Sequence, residues 1–422
     1  MMTGLGAAGR IRAVVDVRRW MSVGIAGVFG LGNPLGATGV EQPFQSPRGA
    51  ALGNAIIASI DDASAIHHNV AGLSKIRRPQ IQLNALGFLG SNDYSGAAGA
   101  NTTEDNFVPA ASIFAAMPVA DGFVLGLGVT APNGLRINWG DPHPLRSLGY
   151  EGSLTNLRTT FGFGWQVTPT LEIGGAVVYA RDEIGLTQGL IERGDGISYD
   201  GTGDEWGWTT GIRWEPFPGH RFAAAYRSKI DIETEGRVRT HSPTTLLASV
   251  PASLVFPYPQ QIIVGYAWEP NDQWIFEFNW QYSGWSSVEA FVINLGPPEG
   301  GGGAIVQEQG WSDSQFYSFG VSYQCTKEIA LRAGYLYGTQ TVPDRGFGPL
   351  IPDAPLHAVS CGVGIERGNW AIDAALTVVW RDERNVRNSV SSPFDLSPDP
   401  VTSDGIWNSN AVVAFLGVTK SF

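Results

Sequence analysis

From residue 78 onward the chain alternates with a period of two. Trp274, Phe276, Phe278, Trp280 and Tyr282 are aromatic, and Ile275, Glu277, Asn279 and Gln281 stand between them. Trp370, Ile372, Ala374, Leu376, Val378 and Trp380 repeat the pattern against Asp373 and Thr377, as do Ile81, Leu83 and Ala85 against Gln80, Gln82 and Asn84. Successive side chains of a strand point to opposite faces, so these segments have one apolar and one wet face. Aromatics at both ends of the apolar face suit the two girdles of a membrane barrel. A soluble β-sandwich also alternates, but large aromatics on the apolar faces and a secretory leader weigh against it.

Short turns are expected at 118–122, 167–170, 215–220, 269–273, 325–328 and 366–369. Long connections rich in Gly, Pro, Asn and Asp fall near 90–106, 132–152, 183–204, 232–257, 284–313, 339–354 and 382–407. Six short turns alternating with seven long loops require fourteen strands, with both chain ends on the short-turn side. An even strand number with short inner turns and long outer loops is the signature of an outer-membrane barrel. The expected fold is therefore an all-β transmembrane antiparallel barrel over residues 78–422.

Composition agrees with this reading. Only 16% of the 422 residues are charged, 11% are aromatic, Gly numbers 55 and Trp 14. This excludes long disorder, which has few aromatics and many charges. Outside the first forty residues no run reaches the roughly 18 apolar residues of a membrane helix. The net charge of −12 argues against binding nucleic acid through its phosphates. Cys325 and Cys361 are too few for a disulfide scaffold or a four-cysteine metal site, and read as small side chains on strands.

Residues 1–39 read as a signal peptide. Arg10, Arg12, Arg18 and Arg19 precede the apolar stretch 21–31, Asn33 and Pro34 break it, and small residues follow at Gly36, Ala37 and Gly39. That is the charged, apolar, small-residue order of a secretory leader.

Residues 40–77 do not alternate and are too few for a domain with its own core. Fourteen strands enclose a lumen wider than wall side chains alone fill, so this segment is expected inside the barrel as a plug. The stretch from Ser46 to Ala55, followed by Asp61–Ile66 and Asn69-Val70-Ala71-Gly72-Leu73, resembles the hatch of the FadL/TodX outer-membrane transporters. Val70 stands where that family has proline in an Asn-Pro-Ala triplet, and His67 and His68 stand where it generally has aromatics. Residues 131–136, 225–230, 280–286, 331–335, 342–344 and 351–353 also look like family segments. The resemblance covers roughly residues 40–422. It implies a fourteen-stranded barrel with an internal hatch and passive uptake of hydrophobic small molecules, with no cofactor. Ligand would be gathered at apolar outer loops, pass to a lumenal site and leave sideways into membrane lipid through a kink in the third strand. The terminal Phe422 implies recognition by the barrel insertion machinery, although Lys420 departs from the usual apolar residue. A single-chain channel is expected.

Site expectations follow. Leu246, Leu247, Val250, Leu254 and Phe256 form an apolar stretch in the fourth long loop, and exposed apolar patches mark ligand sites. Gly126 or Gly128 in the third strand would lie at the kink, as glycines at a bulge do. Strand parity turns Arg158, Arg332, Arg213, Arg221 and Arg227 inward, with Glu172, Glu277 and Asp373. Arg158 or Arg332 could receive a carboxylate through a two-pronged hydrogen bond, or the arginines could form an internal ion-pair network. Asp61 and Asp62 read as hatch anchors or caps. His67 and His68 read as lining of the transport path, because no third metal ligand stands at useful spacing, and His143 is as isolated. An alternative on the same barrel is a surface adhesin or receptor acting through long loops. A barrel enzyme finds no nucleophile constellation.

Overall fold

A backbone group left unpaired in the bilayer costs several kcal/mol, so a spanning sheet has to close on itself. The computed structural model describes residues 40–103, 106–141, 143–190, 193–296, 302–391 and 400–422. The expected leader, residues 1–39, lies outside them. Fourteen antiparallel strands form the wall. They are strand 1 (Gln80–Gly96), 2 (Asn106–Ala120), 3 (Phe123–Asn138), 4 (Glu151–Thr168), 5 (Leu171–Gln188) and 6 (Gly196–Phe217). Strand 7 runs in two pieces (His220–Arg227 and Ile230–His241), as does strand 8 (Leu246–Tyr258 and Gln261–Asn271). Then come strand 9 (Trp274–Ser283), 10 (Ser314–Gln324), 11 (Ile329–Gly338), 12 (Leu356–Arg367), 13 (Trp370–Arg381) and 14 (Gly405–Ser421). Each pairs with the next, and strand 1 closes the barrel on strand 14, from Gln80 opposite Ser421 to Ser95 opposite Ile406.

The outer surface is the apolar set of the alternation. Leu83, Leu89, Phe161, Val177, Leu331 and Leu376 are exposed there, with Trp165, Trp214, Trp268 and Trp370 near the short-turn end and Trp206 and Trp208 nearer the long-loop end. The inner set is polar and hydrogen-bonded. Asn84 donates to Ser112 Oγ at 3.0 Å, and Gln82 donates to Asn84 at 3.2 Å.

The fourth long loop is shorter than the sequence suggests. The ladder between strands 7 and 8 continues to His241 and Leu246, so only 242–245 connect them. The misreading has a physical cause. In the membrane the apolar residues face out, but here Ile230, Ile232 and Thr234 are buried while Asp231, Glu233 and Glu235 are exposed. Above the hydrocarbon the polarity of the two faces inverts, and the apolar-out pattern that marks a membrane strand vanishes. Strands 5 and 6 extend similarly into the expected loop 183–204. Cys325 lies in the turn after strand 10 rather than on a strand, Cys361 lies on strand 12, and both thiols are free.

Residues 40–79 fold back into the lumen. A short helix, Pro47–Ala51, is capped by Ser46, whose Oγ accepts from Gly49 N–H at 3.1 Å. A single turn, Ala65–His68, leads into a 3₁₀ helix, Val70–Lys75. Asn69 caps that helix by accepting from Ala71 N–H at 3.2 Å, and donates to the carbonyls of Ile57 (3.1 Å) and Ile212 (3.2 Å). The wall has no side chain where this turn docks. A Cβ at Gly174 would lie 2.6 Å from the Val70 carbonyl carbon, and one at Gly211 would lie 2.0 Å from Asn69 Oδ1.

Charge fixes the docked segment. Glu172 of strand 5 accepts from Lys75 at 2.5 Å and from Arg213 of strand 6, whose other arm donates to the Ile60 carbonyl at 2.6 Å. Glu277 of strand 9 accepts from Ala58 N–H (2.8 Å) and Ser59 N–H (3.1 Å). Within the segment Arg48 pairs with Asp61 and, at 3.5 Å, with Asp62. Removing one member of a buried pair strands the other charge, at about 3–5 kcal/mol. Glu172→Gln leaves Arg213, 1% exposed, without its carboxylate. We expect a clearly lower temperature for loss of compact migration on unheated gels, and an unchanged temperature would contradict this anchoring.

Candidate functional site

Two cavities lie in the lumen on the long-loop side of the docked segment. The upper one is apolar. Leu135, Leu154, Ile184, Tyr199, Leu254 and Phe256 of the wall meet Phe291 and Ile293 of the 284–313 loop and Leu350 and Ile351 of the 339–355 loop. Its space is lined mainly by apolar side chains and is partly continuous with solvent. The same hydrophobic cluster holds an aromatic group in which Trp407 lies 5.6 Å from Trp139 and 5.0 Å from Phe347, ring centre to ring centre.

The lower cavity is polar and holds about 610 Å³. Its walls include Thr130, Asn133, Arg158, Arg227, Gln261 and Gln281, with Glu41, Gln42 and His67 from the lumenal segment. The two cavities adjoin, because Val40 lines the upper and Glu41 the lower.

The inward arginines divide into two kinds. Arg213 pairs with Glu172, Arg221 with Glu269, and Arg332 with Asp373 at 2.6 Å. Arg158 and Arg227 have no carboxylate at ion-pair distance among the described residues. Arg158 donates to Asn156 Oδ1 (2.8 Å) and Asn133 Oδ1 (3.0 Å), and lies 5.3 Å from the centre of the Tyr258 ring. Arg227 donates to Gln261 Oε1 (3.0 Å) and to the His67 carbonyl (2.9 Å). Each guanidinium carries five donors, so two positive, under-used groups face one pocket. The pocket's own acid, Glu41, accepts from Gln281 (2.6 Å) and Ser283 (3.3 Å) and attracts both guanidinium groups from beyond ion-pair distance.

The expected capture residues separate. Leu254 and Phe256 line the upper cavity. Leu246, Leu247 and Val250 line neither cavity and are exposed on the protruding hairpin of strands 7 and 8, Leu247 by 64%. Arg332 is committed to Asp373 and lines neither cavity, whereas Arg158 lines the lower one. Sequence reasoning missed Phe291, Ile293, Leu350 and Ile351. The alternation of Phe291, Ile293 and Leu295 inside a presumed loop was the available signal, and these residues form a small hairpin, Ala290–Leu295 with Ala304–Glu308.

Strand 3 keeps its register at the expected glycines and loses it beyond them. Gly126 and Gly128 pair in register with Gly162 and Thr160, and the ladder to strand 4 shifts between Thr130 and Asn133. Gly126 and Gly128 instead make room for the lumenal segment, since a Cβ on either would strike Leu73 or Ile66. A proline cannot donate to the ladder, and Pro132 sits in the shift. Strand 2 leaves strand 3 here too, their last pair being Ile113 with Val129. The freed edge is taken by the lumenal segment. Gln42 N–H donates to the Pro132 carbonyl (2.7 Å), and Gly134 N–H donates to the Val40 carbonyl (3.0 Å). The Gln45 amide exchanges two bonds of 3.1 Å with the Ala131 backbone, and Ser112 of strand 2 donates to the Gln45 carbonyl at 2.7 Å.

His67 lines the lower cavity. His68 is buried and shares a 2.9 Å hydrogen bond with Ser46 Oγ. Asp62 accepts from Ser64 N–H at 2.8 Å. His143 lies in an outer loop and accepts from Leu145 N–H at 2.8 Å. Among the described residues no cluster of His, Cys, Asp and Glu could hold a metal ion.

A closed lipid-facing barrel with a docked internal segment and an apolar cavity under its outer loops defines an outer-membrane channel. Residues 36–422 match the family described as outer membrane protein transport protein (OMPP1/FadL/TodX), and the chain belongs to it. Outer membrane protein P1 of Haemophilus influenzae is 24% identical over 316 residues, 67% of each chain. The long-chain fatty acid transport protein of Escherichia coli strain K12 is 23% identical over 355 residues, 72% of this chain and 79% of that one. The fold is shared with a Pseudomonas aeruginosa FadL homologue (TM-score 0.81, 17% identity, 91% of this chain and 100% of that one). It is also shared with the P. putida toluene transporter TodX (TM-score 0.72, 16% identity, 92% and 99%). The chain is thus an outer-membrane channel for hydrophobic molecules and not an enzyme.

Burial, reinforced by Arg227 and Arg48, pushes the His68 imidazole down from 6.5 to about 3. The folded state therefore refuses a proton that the unfolded chain accepts. The stability this contributes is complete above about 6.5 and is lost progressively as pH falls from there towards about 3. Thermal unfolding in detergent should move to lower temperature over that window, and His68→Gln should flatten the slope. An unchanged slope in the variant would show that His68 is not the group responsible.

Proposed function

We propose that this channel takes up amphiphilic molecules with a long apolar body and one anionic head, the class to which long-chain fatty acids belong. The observation that carries this is the pair Arg158 and Arg227, which face one pocket with no carboxylate at ion-pair distance among the described residues and adjoin an apolar cavity. The apolar body gains about 0.8 kcal/mol per buried CH₂ in the upper cavity. The carboxylate then finds two guanidinium groups in the lower one, and charge-assisted hydrogen bonds contribute about 1.5–3 kcal/mol each. That the E. coli K12 relative bears the name long-chain fatty acid transport protein supports the same class. A plain hydrocarbon would leave both arginines without an acceptor.

Release goes sideways into the bilayer at strand 3. Water in the periplasm is the worse destination for an alkyl chain, and the lapse of pairing between strands 2 and 3 is the natural opening. The 40–45 segment closes it and lies against the lower cavity through Glu41 and Gln42. Ligand arrival there competes with the segment, and its displacement frees the edge.

Two measurements check this. Arg158→Met/Arg227→Met should lower uptake of radiolabelled oleate about tenfold or more in cells lacking their own transporter, and leave toluene uptake unchanged. Equal oleate uptake would make the arginines structural. Gln45→Leu keeps the bulk and removes both amide bonds to Ala131, so it should raise the uptake rate. A rate no higher than the parent's would count against an opening at strand 3.

A further inference from the structure

The wall lapses at a second place, far from the strand 3 edge. Strand 6 pairs with the two pieces of strand 7 separately, Thr202 opposite Glu235 at one end and Thr209 opposite Arg227 at the other. Between these pairs the register changes by one residue, and 203–208 have no ladder partner on strand 7. The second side of strand 7 lapses at the same point, because strand 8 breaks between Tyr258 and Gln261.

This lapse is built rather than frayed. Backbone groups near it are taken by side chains, as buried backbone requires. Trp208 N–H donates to Ser228 Oγ at 2.9 Å, and Tyr199 OH donates to the Thr234 carbonyl at 2.9 Å. Irregular backbone is tolerated where it lines a cavity, and the polar cavity reaches this stretch from inside, touching Trp208, Thr209, Ser228 and Ile230. Outside, Trp206 and Trp208 are 62% and 51% exposed, which puts the lapse at the outer aromatic girdle.

The obstruction is small. Towards the long-loop end the strands touch, since a Cβ at Gly203 would strike the Glu233 carbonyl. Nearer the membrane centre the side chains of Ile230 and Ser228 fill the space, and Ser228 N–H donates to the Trp208 carbonyl at 2.9 Å. Ile230 lies against Gly207, where a Cβ would be 2.5 Å from its Cδ1 and 2.7 Å from its Cγ1. Any larger residue at 207 would seal the wall. The strand 3 edge, by contrast, is closed by five hydrogen bonds to the 40–45 segment. The strand 6 lapse is closed by the smaller set of the Ile230 side chain and two hydrogen bonds between Ser228 and Trp208.

We propose that the Gly207–Ile230 contact is a second side gate, through which apolar ligand moves between the polar cavity and the outer membrane interface without displacement of the lumenal segment. The gate rests on the uptake reading above and adds a route that this reading does not contain. It carries a substantial share of the flux and opens when Ile230 turns away from Gly207.

The test uses the full-length chain in cells lacking their own transporter, with Cys325→Ser and Cys361→Ser as background. Gly207→Cys and Ile230→Cys are added, because a Cβ at 207 falls within disulfide reach of the 230 side chain. Oleate uptake is compared in the same cells before and after oxidation, with the disulfide quantified by mass spectrometry. Oxidation should lower uptake severalfold, and dithiothreitol should restore it. A quantitative disulfide with unchanged uptake overturns the gate. If the disulfide does not form, Gly207→Phe is measured instead, with barrel assembly checked by heat-modifiable migration. Lowered uptake supports the gate, and uptake equal to the background overturns it. A background chain that takes up no oleate would instead sink the uptake reading itself.

Discussion

Everything in this structure follows from the need to pair each backbone N–H and C=O where there is no water. The need closes the sheet, and closure at fourteen strands leaves a lumen that side chains cannot fill. The 40–79 segment fills it. The same need explains the exceptions. Where strand 3 leaves strand 2, the Gln45 amide and the backbone of Val40 and Gln42 stand in as ladder partners. Where strand 6 loses strand 7, Ser228 and Tyr199 do so with their hydroxyls. Both lapses border the same polar cavity.

Charge in the lumen is sorted by the same logic. A buried ion pair is weak evidence for stability, but losing one partner is costly. Glu172, Lys75 and Arg213 form such a set, and it ties the lumenal segment to strands 5 and 6. Arg158 and Arg227 differ because their partners are neutral amides and a carbonyl. Neutral acceptors hold a guanidinium in place without satisfying its charge. The result is a positive pocket beneath an apolar chamber, which matches the anatomy of an amphiphile.

Much of the wall was legible in the sequence, and particular residues show why. In Trp274–Tyr282 the alternation reports directly which side chains meet lipid, and the six short turns follow from it. The reading failed where the environment changes along one strand. Above the membrane Ile230, Ile232 and Thr234 turn inward beneath exposed carboxylates, so a strand there has the sequence pattern of a loop. It failed again at Gly126 and Gly128, because a glycine that admits a neighbour looks the same in sequence as one that bends a strand. Pro132 was the better signal. Arg158 and Arg332 were equivalent by parity, and only the presence of Asp373 across the sheet from one of them separates their roles.

The central claim is that the lumen recognises an anionic head as well as an apolar body. Equilibrium binding of oleate and of its methyl ester to the purified channel in detergent tests it most directly, because the two ligands share the alkyl chain and differ in the charge of the head. The account predicts that oleate binds at least about tenfold more tightly, the equivalent of about 1.4 kcal/mol of head-group recognition. Equal affinities would mean that Arg158 and Arg227 take no part in recognition and that apolar burial alone selects the ligand.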